Sequence, residues 1–387
     1  MGVIVERIKD GTIIVTDPSS VGSLLKGFFG SQYGENKSRL QLMPEEALYM
    51  LDVRNAQCTN NNVPATFNEI ASYYKDQDKF LARYFCYRDW RDRGIIARNI
   101  AEAENTDYGR SPVIKYPSQD FDLPKIKYNA LYFPDDLMAV IDAEDAKILY
   151  DNYWFGQYGT YKAKKHGSLL KLDAYESLFL AKHCGLKLDI SSTKLLKAAK
   201  QRRADFEALY DVYEDLRLRG FVLKTGFKFG THFRLYFPGA KPILDQAEWM
   251  HSKHVIHVFP RDAKMLISEW ARAIRVAHGV KKTFILAIPG KKRESKAKLD
   301  FLLYHRKHGN AENPKEHKPK FVMLALSEEE EIGGQDLAQA IARSRQLGLD
   351  LILSICDRET SITHYRVKRI DLPKSQFEYY EIEWVQP

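Results

Sequence analysis

The sequence predicts an α+β protein of tandem mixed α/β units, each an N-terminal helix-and-sheet subdomain or a C-terminal strand-helix-strand subdomain. Three observations predict it. The chain repeats itself twice, one pattern recurring from the start to the middle and another from the middle to the end. Each repeat mixes short runs of period two with apolar stripes of period 3.6. A chain of 387 residues, 44% of them hydrophobic, also has room for two or three ordinary cores.

In the first repeat, RLQLMPEEALYML (Arg39 to Leu51) corresponds to LLKLDAYESLFLA (Leu169 to Ala181): a strand-like L-x-L, an acidic helix start, then an amphipathic helix. FLARYFCYRDWRDRG (Phe80 to Gly94) then corresponds to FEALYDVYEDLRLRG (Phe206 to Gly220). Tyr87 falls on Tyr213, and Arg91, Arg93 and Gly94 fall on Arg217, Arg219 and Gly220. The copies differ in one loop, which the second lengthens as TYKAKKHGS with Lys162, Lys164, Lys165 and His166. Such a loop is either simply solvated or a contact to phosphate, since clustered lysines gain affinity by releasing counterions.

In the second repeat, Val255, Trp270 and Phe284 recur as Val322, Leu337 and Leu351, at a constant offset of 67. Each copy reads strand, amphipathic helix, strand; in the first, Ile267, Trp270, Ala271, Ile274 and Ala277 form the apolar stripe and Gly279 ends the helix. The offset acts as a control. It maps Lys282 to Leu349, Arg275 to Ala342 and His251 to Lys318, so the apolar frame is kept while polar residues are lost. Only the first copy is expected to carry chemistry.

Pro-, Gly- and polar-rich stretches separate these parts. The expected organisation is an N-terminal half unit (1–103, a degenerate copy), a linker (104–125), a full unit (126–308, with subdomains 126–243 and 249–308), a second linker (309–320) and a C-terminal half unit (321–387).

The net charge of +8 and pI near 9.0 point to an acidic partner, nucleic acid being the commonest. Four scattered cysteines (Cys58, Cys86, Cys184 and Cys356) form no CxxC pair, so neither a zinc site nor a disulfide framework is expected. The charged N-terminus is unlike a signal peptide, and no apolar run reaches the roughly 18 residues of a spanning helix. A soluble cytoplasmic protein that meets no membrane is expected.

In HFRLYF, Phe233, Leu235 and Phe237 share one strand face, while His232, Arg234 and Tyr236 share the other, away from the apolar layer. His251, His254 and His257 are spaced by three, but strand-like VIHVF breaks the helical spacing and no Asp, Glu or Cys completes a metal ligand set. Lys282 lies between a helix stop and a strand, where the second copy accepts leucine. Tyrosine, histidine and lysine together suit RNA cleavage by its own 2′-hydroxyl. A base takes the 2′ proton, an acid protonates the leaving 5′ oxygen and a cation stabilises the crowded phosphorane, with no metal required. At an ordinary pKa of about 10, on the order of 0.1% of a tyrosine is ionised at neutral pH, so a tyrosine base needs neighbouring cations or mainly orients the nucleophile.

YEDLRLRGFVLKTGFKFGTHFRLYF, followed by HSKHVIHVF and RVAHGVKKTFILAI, resembles the tRNA-splicing endonucleases, three separated motifs in that family's order. The resemblance implies a nuclease-like strand-helix-strand subdomain, with Tyr236 as general base, His251 as general acid (His254 the alternative) and Lys282 as transition-state stabiliser. It further implies cleavage at bulge-helix-bulge motifs of precursor tRNA, with 2′,3′-cyclic phosphate and 5′-hydroxyl products and no cofactor. Arg275 and Arg306 fall on the arginines that clamp a bulged base. The family assembles four units, so a fused chain of this kind would act as a homodimer. The family docks an acidic loop into an opposing basic pocket, and the corresponding loop here is CDRETS, with Asp357 and Glu359, if it is more than an ordinary surface loop. The loop PGKKRESKAKLD in the first copy is instead basic.

Two other readings compete. A non-catalytic RNA-binding subunit would not need Tyr236, His251 and Lys282 together. A metal-dependent DNA nuclease would need a carboxylate pair beside a strand, and none flanks TFILAI convincingly.

Overall fold

The computed structural model describes residues 2–160, 167–242, 251–291, 298–307 and 309–387. An α+β architecture is observed, and its spine is one long mixed sheet. In chain order, the ten strands along it are β1 (Ala97–Asn99), β2 (Val222–Thr225), β3 (Phe233–Tyr236), β4 (His254–Val258), β5 (Thr283–Ile288), β6 (Phe301–Leu303), β7 (Phe321–Ser327), β8 (Asp350–Cys356), β9 (Ile362–Asp371) and β10 (Glu378–Val385). Their spatial order is β2-β3-β4-β5-β10-β9-β8-β7-β6-β1.

That order is a palindrome about the β10–β9 pair. β4 runs parallel to β5 as β7 runs parallel to β8, and the registers His254↔Thr283 and Phe321↔Asp350 keep the offset of 67. β3 pairs antiparallel with β4 (Phe233↔Ile256) as β6 pairs with β7 (Phe301↔Met323), and β2 borders β3 as β1 borders β6. Two lobes of one design therefore meet edge to edge.

Four helices line the sheet: α1 (Phe80–Asp92), α2 (Phe206–Arg217), α3 (Ile267–Gly279) and α4 (Gly334–Gln346). α3 buries Ile267, Trp270, Ala271, Ile274 and Ala277, the stripe its spacing predicts, and shares a core with α4. α2 closes a second core against β2, β3 and the 129–188 sheet, while α1 closes a third with Phe301, Leu303, Phe321 and Met323.

The N-terminal repeat holds in three dimensions. The sheet around Ile4–Arg7 and that around Asn129–Phe133 share a strand order, apart from one additional edge strand in the first. Gly30 and Gly156 have φ of +61° and +65°, and a Cβ on either would lie 2.5 Å from the carbonyl oxygen of Gln41 or Lys171. Only glycine fits there. Glu46 and Glu176 each accept the amide of that glycine, at 2.9 and 2.8 Å. Arg91 and Arg217 place their guanidinium groups over Phe29 and Phe155, at 3.7 and 4.0 Å.

Two segments differ from their sequence reading. The 104–125 stretch carries a strand, Val113–Lys115, that pairs with β9, and its Tyr116 hydroxyl bonds Glu381 of β10. More consequentially, β6 does not return to β5. It crosses to the far lobe, and β10 from the chain's end takes the place beside β5.

Candidate active site

β3 ends at Tyr236, β4 begins at His254 three residues after His251, and β5 begins at Thr283, one residue after Lys282. Since β3 runs antiparallel to β4 and β4 parallel to β5, all three positions gather at one end of three adjacent strands. The Lys282 ammonium donates to the carbonyl of Ser252 and to its Oγ at 3.2 Å, fixing it beside His251, which is exposed. Phe229, from the short turn after β2, lies under this ammonium at 4.8 Å. Burial, and then the charge of Arg234, hold Lys282 below the ordinary lysine range.

Tyr236 corrects one expectation. Its strand face is the predicted one, shared with the half-buried Arg234, but Tyr236 is only 4% exposed. Trp154 covers its ring at 4.6 Å between centroids, so the aromatic body packs in the core. Its hydroxyl accepts from Arg234 Nη1 at 3.2 Å. Beside it lies a cavity of about 290 Å³ lined by Tyr150, Trp154, Glu176, Lys224, Arg234 and Tyr236. Within it Lys224 bonds Glu176 at 2.7 Å; burial lowers the lysine and raises neighbouring Asp173.

His254 faces another way. It stacks on Phe237 at 4.7 Å, and burial followed by Lys253 and Lys282 hold it down at about 4. It is neutral at pH 7.

Arg275 lies exposed on α3, about one turn before the helix end that precedes Lys282. Arg306 does not join the group. It follows β6 into the far lobe, where it donates to the carbonyl of Arg93, because a strand's sequence encodes its pleat but not its neighbour. Asp357 turns inward and caps its own loop, accepting the amides of Glu359 and Ser361 at 2.9 and 2.8 Å, whereas Glu359 is exposed. Lys162, Lys164 and Lys165 lie outside the described residues, as do residues 292–297 of the basic loop after β5. No helix among the described residues is long and apolar enough to cross a membrane.

The sequence reading missed the counterpart of Tyr236 in the other lobe. Register for register, β6 repeats β3 as Phe301, Leu302, Leu303 and Tyr304. The signal was the shared F-x-L-Y of HFRLYF and DFLLYH, one residue out of step with the offset of 67. Tyr304 is 5% exposed, and burial pushes it up to about 12.

Comparison with known proteins gives the family. Residues 206–299, which contain the strand ends just described, match the tRNA intron endonuclease catalytic C-terminal domain. The chain is 33% identical over 173 residues to the tRNA-splicing endonuclease of Methanopyrus kandleri, covering 43% of this chain and 84% of that protein. It is 30% identical over 205 residues to that of Methanococcoides burtonii, covering 51% and 55%. To that of Pyrococcus abyssi it is 31% identical over 145 residues, covering 36% and 76%. By this match and by the identity to relatives covered over most of their length, the chain belongs to the tRNA-splicing endonuclease family and is an endonuclease.

Proposed function

We propose that this enzyme removes introns from precursor tRNA by cutting bulge-helix-bulge motifs, without a metal ion, leaving 2′,3′-cyclic phosphate and 5′-hydroxyl ends. The observation that carries this reading is the convergence of Tyr236, His251 and Lys282 at one end of β3, β4 and β5, set against Tyr304, Lys318 and Leu349 in the other lobe.

Tyr236 takes the proton of the 2′-hydroxyl as the 2′ oxygen bonds to phosphorus. His251 protonates the 5′ oxygen as the P–O5′ bond breaks, and the Lys282 ammonium stabilises the non-bridging oxygens of the phosphorane. Arg275, together with Lys162, Lys164 and Lys165, contacts the RNA. The lobe of β2 to β5 is the catalytic unit. The N-terminal and C-terminal halves fold together as a silent one, and two chains form the working homodimer, with Glu359 at the docking loop.

The test is cleavage of an end-labelled bulge-helix-bulge RNA in excess EDTA, comparing wild type with His251→Ala and Lys282→Ala. The reading expects cyclic phosphate ends from wild type and loss in both variants. Cleavage only after adding magnesium would sink the metal-free mechanism, and wild-type cleavage by either variant would remove that residue from it.

A further inference from the structure

The chain carries its own reference structure, and comparing the lobes isolates one residue the three-residue mechanism does not use. On β3, Phe233, Leu235 and Tyr236 recur on β6 as Phe301, Leu303 and Tyr304, but Arg234 recurs as Leu302. The tyrosine is thus a residue that both lobes keep. The arginine disappears together with His251, replaced by Lys318, and Lys282, replaced by Leu349.

Other features near Tyr236 do not discriminate in this way. The cavity beside it has a counterpart of about 250 Å³ lined by Gly30, Glu46 and Arg98. The Lys224 cation is matched by Arg98, which donates to the Gly30 carbonyl at 2.8 Å as Lys224 does to that of Gly156 at 2.9 Å. Both belong to the fold.

Arg234 is different because the same strand position holds a fully buried leucine in the other lobe. In the β3 lobe the position is only half-buried and holds a guanidinium. It is anchored through Nε on the Thr225 carbonyl at 2.9 Å, which leaves Nη1 to reach the Tyr236 hydroxyl at 3.2 Å. A guanidinium only donates and stays charged at any working pH. A phenol that accepts from it must point its own proton elsewhere, and negative charge on its oxygen is favoured.

We propose that Arg234 is the positioning residue for Tyr236, orienting its hydroxyl toward the 2′-hydroxyl of the RNA and stabilising the oxygen as it gives up its proton. This rests on the reading of Tyr236 as the base. It turns the two-residue spacing of Arg234 and Tyr236 into a functional pair, one that Tyr304, with Leu302 at the matching position, does not have.

The test compares wild type, Arg234→Leu, Arg234→Lys and Tyr236→Phe in single-turnover cleavage at saturating enzyme, with RNA affinity and melting temperature measured alongside. Arg234→Leu copies the residue that the second lobe already folds around. Its cleavage step should slow by about tenfold to a hundredfold, the ionisation lost when an adjacent opposite charge is removed, with affinity and melting nearly unchanged. Arg234→Lys, which returns a cation without the fork, should recover part of the rate. The proposal falls if Arg234→Leu cleaves like wild type while Tyr236→Phe does not. It falls equally if the loss lies only in affinity or melting, or if Arg234→Lys is no faster than Arg234→Leu. Wild-type cleavage by Tyr236→Phe would instead remove the tyrosine as base, and the positioning role with it.

Discussion

His257 on β4 should make the lobe of β2 to β5 sensitive to acid. The ring is 8% exposed, lies 4.6 Å from that of His232, and neither of its nitrogens has a hydrogen-bond partner among the described residues. Burial is the main reason that it is held at about 4; Asp205 pulls its pKa up and Arg203 pushes it down. An unfolded histidine titrates near 6.5. Between these values the unfolded chain binds a proton that the folded chain refuses, so stability is complete above 6.5 and is lost as pH falls toward 4. From pH 7.5 to pH 5 the span is about 1.5 pH units, or about 2 kcal/mol from this one side chain. His257→Leu copies the Leu324 of the other lobe and should abolish that share of the acid sensitivity. Urea denaturation followed by circular dichroism at the two pH values measures it. If the variant loses as much stability as wild type between pH 7.5 and 5, His257 is not refusing the proton and the reasoning fails.

Two further substitutions use the same internal reference. Lys282→Leu places at the start of β5 the residue that precedes β8, Leu349, so melting should barely change while single-turnover cleavage falls by about a hundredfold to a thousandfold; a large drop in melting temperature would show that the lysine holds the lobe together. Gly156→Ala and Gly230→Ala both demand positive φ, at +65° and +63°, but the new methyl would strike the Lys171 carbonyl at 2.5 Å in the first and nothing within 4 Å in the second. The first should cost about 3 kcal/mol or more and the second about 1 kcal/mol, read from urea midpoints; equal losses would mean that the close approach at Gly156 is not what requires glycine.

Much of this was legible in the sequence because repeats expose what a fold needs. The stripe of α3, the paired glycines Gly94 and Gly220, and the loss of His251 and Lys282 in the second copy follow from periodicity and offset alone. The destination of β6 does not. FLLYHR encodes a short buried strand, and the loop before it is the only sequence hint that the chain changes lobes. Strand order is decided by which edge is open once everything else has packed, a long-range condition that no local run carries. Hence Arg306, placed by sequence order in the catalytic copy, lies in the other lobe, and the half units at the two chain ends share one core. Alternation gave the direction of Tyr236 but not its burial, because Trp154, some eighty residues earlier, supplies the cover.

The lobe of β6 to β9 contributes to the lobe of β2 to β5 through the sheet itself. β5 is apolar and buried from Phe284 to Ile288, so its outer edge could not be left to solvent. β10 covers that edge in five registered pairs, Phe284↔Ile382 to Ile288↔Glu378, and β9 ties β10 to the other lobe. Lys282 sits at the start of the strand thus held, and Ser252, which receives its ammonium, at the approach to the next. Once a lobe serves as an edge partner, only its apolar frame matters to its neighbour. Residues corresponding to Arg234, His251 and Lys282 can then differ, as Leu302, Lys318 and Leu349 do, without loss of the sheet, and that freedom lets two copies of one fold carry different polar residues at matching strand ends.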